Sequence, residues 1–124
     1  MRLVNTKKAP SAIGPYSQAV NINNFLFISG QLPINPATNE LVENNVVIQT
    51  RQVLENIVAI LQSQNLNIHH IVKNTIFIKN MNQFPNINDE YEKYFSTHQP
   101  ARSTVEVNRL PKNALIEIAC IASN

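Results

Sequence analysis

The sequence predicts an α/β protein of the α+β kind: one mixed, mainly antiparallel sheet with two helices on one face. Three observations carry this. Short apolar segments of strand type recur along all 124 residues. Two longer segments instead repeat their apolar residues at helical spacing. The elements come in the order β, ββ, α, β, α, ββ with no repeat and no linker, so residues 1–124 read as one domain.

The first strand candidate is short, Arg2 to Asn5, and a Pro/Ser/Gly loop, KAPSAIGP, follows it. Tyr16 to Ile22 and Phe25 to Ser29 read as a hairpin across Asn23-Asn24, a dipeptide that tolerates positive φ. GQLPINPATNE carries Pro33 and Pro36 and reads as irregular. From Asn45 to Gln64, Val47, Leu54, Ile57, Val58 and Leu61 form a helical stripe, and Asn65 is its stop. Ile71 to Ile78 is β-rich without clean alternation, which predicts a strand covered on both faces. A second helix spans Phe84 to Phe95 with Ile87, Tyr91, Tyr94 and Phe95 on one stripe. Ala101 to Val107 and Leu115 to Ala122 read as a closing hairpin joined by NRLPKN.

Composition excludes several classes. The net charge is only +2 and the basic residues are scattered, Lys7-Lys8 being the only adjacent pair, which argues against a nucleic-acid partner. The single cysteine, Cys120, cannot form an internal disulfide and fits a reducing compartment. MRLVNTKKAPSAIG has no apolar core of a targeting signal, and IVAIL is too short to span a bilayer. The expectation is a cytoplasmic protein without a membrane partner. His69, His70 and His98 lack metal-ligand spacing among themselves or with Cys120, and no phosphate loop, nucleophile elbow or dinucleotide fingerprint occurs. Neither metal nor cofactor is expected. Cys120 reads as a buried small apolar residue, and Tyr91, Tyr94 and Phe95 as helix packing.

The last strand has two apolar faces: Ile116, Ile118, Cys120 and Ala122 on one, Leu115, Ala119 and Ile121 on the other. Two helices cover only one, so the second predicts self-association. Glu117 lies in that second face. With Val105, Val107, Ile116 and Ile118 placed under the helices, Arg102, Thr104 and Glu117 become neighbours on adjacent antiparallel strands of the opposite face. A covered charge needs a partner, because leaving one unpaired costs several kcal/mol, on the order of 3–5. Two readings stand: Arg102 and Glu117 pair with each other, or Arg102 keeps its planar fork for a substrate carboxylate while Glu117 handles protons at a raised pKa. Only two glycines occur, Gly14 and Gly30, while asparagine fills turns at Asn23, Asn24, Asn39 and Asn113. Asparagine reaches left-handed backbone but cannot replace glycine where a Cβ would collide.

IGPYSQAV, FLFISGQLP, QTRQVLENIVAIL, FPNINDEYEKYF, and PARSTVEV followed by RLPKNALIEIA resemble, in order and over nearly the whole chain, the Rid family (the RidA/YjgF group) of enamine/imine deaminases. The resemblance implies a chorismate-mutase-like α/β fold and a homotrimer whose sheets close a central barrel, with ligand clefts between subunits. It implies hydrolysis of 2-aminoacrylate and related 2-imino acids, made by pyridoxal-phosphate enzymes, to 2-oxo acids and ammonia. On matching positions, Arg102 holds the substrate carboxylate and Glu117 acts on the water. Tyr16, Ser29, Gly30 and Asn88 line the cleft, as does Thr104, which stands where many bacterial members carry cysteine and puts thiol-dependent behaviour in doubt. Two alternatives keep the same fold: a non-catalytic binder of small 2-oxo or amino acids, and an RNA-acting protein of the translation-inhibitor or endoribonuclease kind.

Overall fold

Asn45 starts the longer helix. Its side-chain oxygen accepts the backbone N–H groups of Val47 at 2.9 Å and Ile48 at 3.0 Å. Such a cap contributes about 1 kcal/mol. The computed structural model describes all 124 residues, and in it α1 (Val46–Ser63) runs from this cap to a turn in which Asn65 takes φ 59°. Val53, Leu54, Ile57, Ile60 and Leu61 form its buried stripe. The second helix, α2 (Phe84–Glu92), begins with Pro85 in its first turn, where a missing N–H costs nothing. It ends before Phe95, which is still buried with Ile87 and Tyr91.

Six strands make one sheet: β1 (Arg2–Val4), β2 (Ala19–Ile22), β3 (Phe25–Gln31), β6 (Ile71–Ile78), β7 (Ala101–Glu106) and β8 (Ile116–Ser123). Their order is β1-β2-β3-β8-β6-β7. β4 (Ile34–Asn35) and β5 (Glu40–Leu41) form a separate small ribbon inside the segment expected to be irregular. All pairings in the main sheet are antiparallel except β6 with β7. Leu26, Ile28, Ile76, Ile78, Ile116, Ile118, Cys120 and Ala122 point toward the helices and form the core with them. The turns follow the asparagines: Asn23, Asn24, Asn39 and Asn113 all have positive φ, as does Lys112.

Four expectations are corrected. The last two strands are not a hairpin: β8 inserts between β3 and β6, and β7 joins the far side of β6 in parallel. The β6 strand is covered on one face only, because Val72 and Lys73 are exposed and Thr75 and Phe77 half-buried. In β7 the face assignment slips by one residue: Arg102 pairs with Asn74, Thr104 with Ile76 and Glu106 with Ile78, so these three share the helix face. Val105, expected in the core, is 44% exposed on the other side. Finally, the expected closure of a barrel in a trimer is overturned by an open sheet. Its end strands, β1 and β7, lie five strand positions apart in the order and do not pair, whereas a barrel requires end strands that hydrogen-bond.

Candidate active site

Arg102 stands on the edge strand and leans over α2. One terminal nitrogen, Nη1, donates to Asn88 Oδ1 at 2.8 Å. The guanidinium carbon lies 5.3 Å from the Phe84 ring centre and 5.0 Å from that of Tyr91. The rest of the fork makes no hydrogen bond within the chain, and no carboxylate lies in ion-pair range; the two ion pairs present join Glu90 to Arg51 and Lys93. The head group borders a cleft of about 350 Å³ whose walls include Asn88, Tyr91, Gln99 and Pro100. That is room for a small organic acid, with charge-assisted donors at its rim.

Beneath the cleft the packing is polar. Asn74, completely buried on β6, donates its amide to the Tyr91 hydroxyl at 2.8 Å. Its Oδ1 and the hydroxyl of half-buried Thr104 find no partner in the chain. Burial pushes the Tyr91 phenol above its ordinary pKa, with the Asn74 bond opposing. Cys120 pairs in register with Asn74 and with Ile28, and burial raises its thiol to about 12, so it is an inert core residue at neutral pH.

The second set of residues lies elsewhere. Glu117 on β8 is paired with Phe77 of β6, which itself pairs with Val105. This row belongs to the face away from the helices. Glu117 is half-buried, makes no hydrogen bond within the chain, and burial raises its carboxyl above the ordinary glutamate value of 4.5. Gly30 lies against it: a Cβ at position 30 would sit 2.5 Å from Glu117 Oε2 and 2.8 Å from Cδ. Glycine there leaves room for the Glu117 carboxylate in this position, and its φ is not in the left-handed region. Around Gly30 the register of β3 against β8 shifts between Ile28 and Gln31. Tyr16, 56% exposed, lines a shallow hollow with Gly30 and Gln18. Ser29 donates its hydroxyl to the Ser17 carbonyl at 2.6 Å and its N–H to the Gln18 carbonyl at 2.9 Å, so it ties the Tyr16 loop to β3.

The expected residues therefore fall into two groups, and one chain does not bring them together. Asn88, Arg102 and Thr104 are on the helix side; Gly30 and Glu117 are on the open side, with Tyr16 beside Gly30. Arg102 and Glu117 are not on adjacent strands, because β6 separates β7 from β8. Two strand spacings sideways and three residues lengthwise separate them by about 14 Å in the plane of the sheet alone. The pairing of Arg102 with Glu117 is thereby excluded within the chain. Missed in the sequence were the Phe84 and Tyr91 rings as partners of Arg102, and buried Gln18, which bonds Thr6 N at 2.7 Å and the Pro10 carbonyl at 2.8 Å to hold the Tyr16 loop. Tyr91 lay on the α2 stripe and was legible only as packing. No group of three or more His, Cys, Asp or Glu converges anywhere as a metal site.

The open face is itself apolar. Phe25, Phe27 and Val105 are 43%, 44% and 44% exposed, and half-buried Phe77, Ala119 and Ile121 lie in the same rows around Glu117. No helix of the chain is long and apolar enough to cross a membrane.

Comparison with known proteins places this arrangement among relatives. A family model described as Endoribonuclease L-PSP matches residues 6–124. A RutC family protein of Pyrococcus horikoshii is 51% identical over 120 residues, covering 97% of this chain and 95% of the relative. A 2-iminobutanoate/2-iminopropanoate deaminase of Escherichia coli K12 is 47% identical over 124 residues, covering 98% and 96%. The crystal structure of a Yersinia pestis protein of unknown function from the conserved Rid family matches with a TM-score of 0.97 at 55% identity, covering 99% and 98%.

Proposed function

The chain belongs to the Rid (RidA/YjgF) family, and on that premise we propose that it is an enamine/imine deaminase acting on 2-imino acids such as 2-iminobutanoate and 2-iminopropanoate. The observation that carries this is the state of Arg102: held by Asn88 and two rings, unpaired, and open to a cleft the size of a small organic acid. The relative in Escherichia coli supports the substrate class.

Arg102 binds the substrate carboxylate, and bidentate contact draws charge away from the adjacent C2. The enamine takes a proton from solvent at its methylene carbon and becomes the iminium, the protonated imine. A water held by Glu117 attacks C2, and the carboxylate accepts the proton that the water gives up. The C–O bond forms as the C=N double bond becomes single. Glu117 returns the proton to nitrogen, ammonia leaves, and the C=O of the 2-oxo acid forms as the hydroxyl proton is released. General acid–base help contributes about 10²–10⁴-fold. No covalent nucleophile is required, so threonine at position 104 does not interfere.

Such a step needs Glu117 within reach of the carbon next to the bound carboxylate, about 7 Å or less from the arginine head group by hydrogen-bond lengths. The wider separation within one chain therefore supports a site that takes the two residues from different copies. The apolar open face around Glu117 supplies the contact surface. A cytoplasmic setting suits the single buried thiol of Cys120.

The test is competition with semicarbazide, which traps the imine. A serine dehydratase generates 2-aminoacrylate, and trapping is compared with no added protein, wild type, Arg102→Ala and Glu117→Gln. Suppressed trapping and faster release of 2-oxo acid by the wild type alone is the expected result. No effect of the wild type would overturn the deaminase reading and favour a binder, in which Glu117→Gln keeps its affinity. Binding of RNA has no comparable support, since Arg51 and Lys93 are tied to Glu90 and Lys79 to the Asn108 carbonyl.

A further inference from the structure

We infer that Tyr91, assisted by Phe84, is a positioning residue whose ring fixes the plane of the Arg102 guanidinium and so sets the affinity of the cleft for a carboxylate. This rests on the reading of Arg102 as the carboxylate anchor.

Three constraints meet on one flexible side chain. The guanidinium carbon lies 5.0 Å from the Tyr91 ring centre and 5.3 Å from that of Phe84, both within cation–π range. The bond from Nη1 to Asn88 Oδ1 fixes rotation of the fork in its own plane. All three partners lie on α2, one and two turns apart. An arginine on an edge strand otherwise holds many rotamers, and ordering it on binding costs affinity. Stacking removes that cost before the ligand arrives, and it leaves the remaining donors free.

The Tyr91 ring is itself fixed. Asn74 donates to its hydroxyl at 2.8 Å, and Phe95 packs against it with ring centres 4.4 Å apart. Asn74 is the direct strand partner of Arg102. The same pair of strands therefore sets the position of the arginine backbone and of the amide that holds the ring. Tyr91 is only 7% exposed, yet it borders the cleft. A residue serving the core alone needs no arginine over its face, and the Phe95 contact holds the ring even without the hydroxyl bond.

The test separates ring from hydroxyl. Tyr91→Phe and Tyr91→Leu both leave the Asn74 amide buried without its partner, so both lose stability. Only Tyr91→Leu loses the stack. The probe is pyruvate, titrated into full-length protein by NMR, with the Arg102 Nε–Hε resonance as reporter and thermal melts as control. Tyr91→Leu is expected to weaken pyruvate binding roughly five- to tenfold and to reduce the ring-current shift of that resonance to the part supplied by Phe84. Tyr91→Phe stays within about twofold of wild type. In turnover the Leu variant raises KM more than it lowers kcat, because most of the carboxylate contact is made before as well as during the reaction. If Tyr91→Leu is poorly folded, Phe84→Leu carries the same expectation.

Equal weakening by the Phe and Leu variants, or wild-type affinity in folded Tyr91→Leu and Phe84→Leu, would overturn the inference. An Arg102→Ala control keeps it distinct from the deaminase reading: pyruvate binding unchanged in that variant contradicts the anchor itself, whereas loss there with wild-type binding in the ring variants contradicts only the cradle.

Discussion

Arg102 and Glu117 lie on opposite faces of one sheet, with β6 between their strands: Arg102 sits beside Asn74, and Glu117 sits beside Phe77. On the proposed reading, one chain carries a carboxylate anchor and a proton-handling group that cannot reach the same small substrate.

Gly30→Ala should inactivate without unfolding. The new methyl would occupy space held by the Glu117 carboxylate, 2.5 Å from Oε2. The side chain can rotate away because its head group has no bond in the chain, so stability should change by less than about 1 kcal/mol. Activity should fall by about 10²-fold, the scale of a misplaced catalytic group. Thermal melts together with kcat/KM check this.

The acid limb of kcat/KM should lie above the ordinary glutamate value of 4.5, because burial raises the Glu117 carboxyl and the ionised form is the one that activates water. Activity therefore rises as pH increases through that raised pKa. In Glu117→Gln the limb should vanish, and the enzymatic rate should drop by about 10²–10⁴-fold. A pH series on both proteins, corrected for spontaneous hydrolysis, measures it.

Glu90 should make the fold acid-labile. Its buried carboxylate accepts from Arg51 Nε at 2.9 Å and lies 3.0 Å from Lys93 Nζ, and the Arg51 bond holds its pKa below the ordinary value. A depressed pKa stabilises the fold above the unfolded-state value, and that contribution is lost as pH falls through the folded-state one. Urea unfolding should show Glu90→Gln less stable than wild type at neutral pH, with the gap closing in acid.

Asn56 should matter more than its place on a helix suggests. Completely packed on α1, it donates to the carbonyls of Leu32 at 3.1 Å and Ile34 at 2.9 Å, just after the Gly30 bend. Asn56→Ala leaves two carbonyls short of a partner and should cost about 2–4 kcal/mol. Chemical denaturation tests the figure, and reduced activity in the folded fraction would follow if the bend relaxes.

Local patterns were legible because they act locally. The asparagine turns at Asn23, Asn24, Asn39 and Asn113 emerge from neighbours in sequence, as do Leu54, Ile57 and Leu61 of the α1 stripe, although Val53 and Ile60 are buried in place of the expected Val47 and Val58. Glu117 was correctly placed in an apolar second face because alternation along β8 needs no knowledge of its partners. Strand pairing is different. Nothing in PARSTVEV distinguishes an antiparallel partner from a parallel one, and taking β8 as its partner instead of β6 reversed the face of Arg102. The cradle of Phe84 and Tyr91 followed from that reversal, since only the helix face brings the arginine to α2. Closure of a barrel depends on whether the two end strands pair, which the order of elements does not reveal.

The most direct test of the central claim mixes two defective proteins. Arg102→Ala and Glu117→Gln are each made alone, then unfolded and refolded together in equal amounts, and imine hydrolysis is measured. If each site takes Arg102 from one copy and Glu117 from another, about one quarter of the sites in the mixture regain both residues. The expected result is two inactive proteins and a mixture with about that fraction of wild-type activity. A mixture as inactive as its components, with both variants folded, would contradict a site shared between copies.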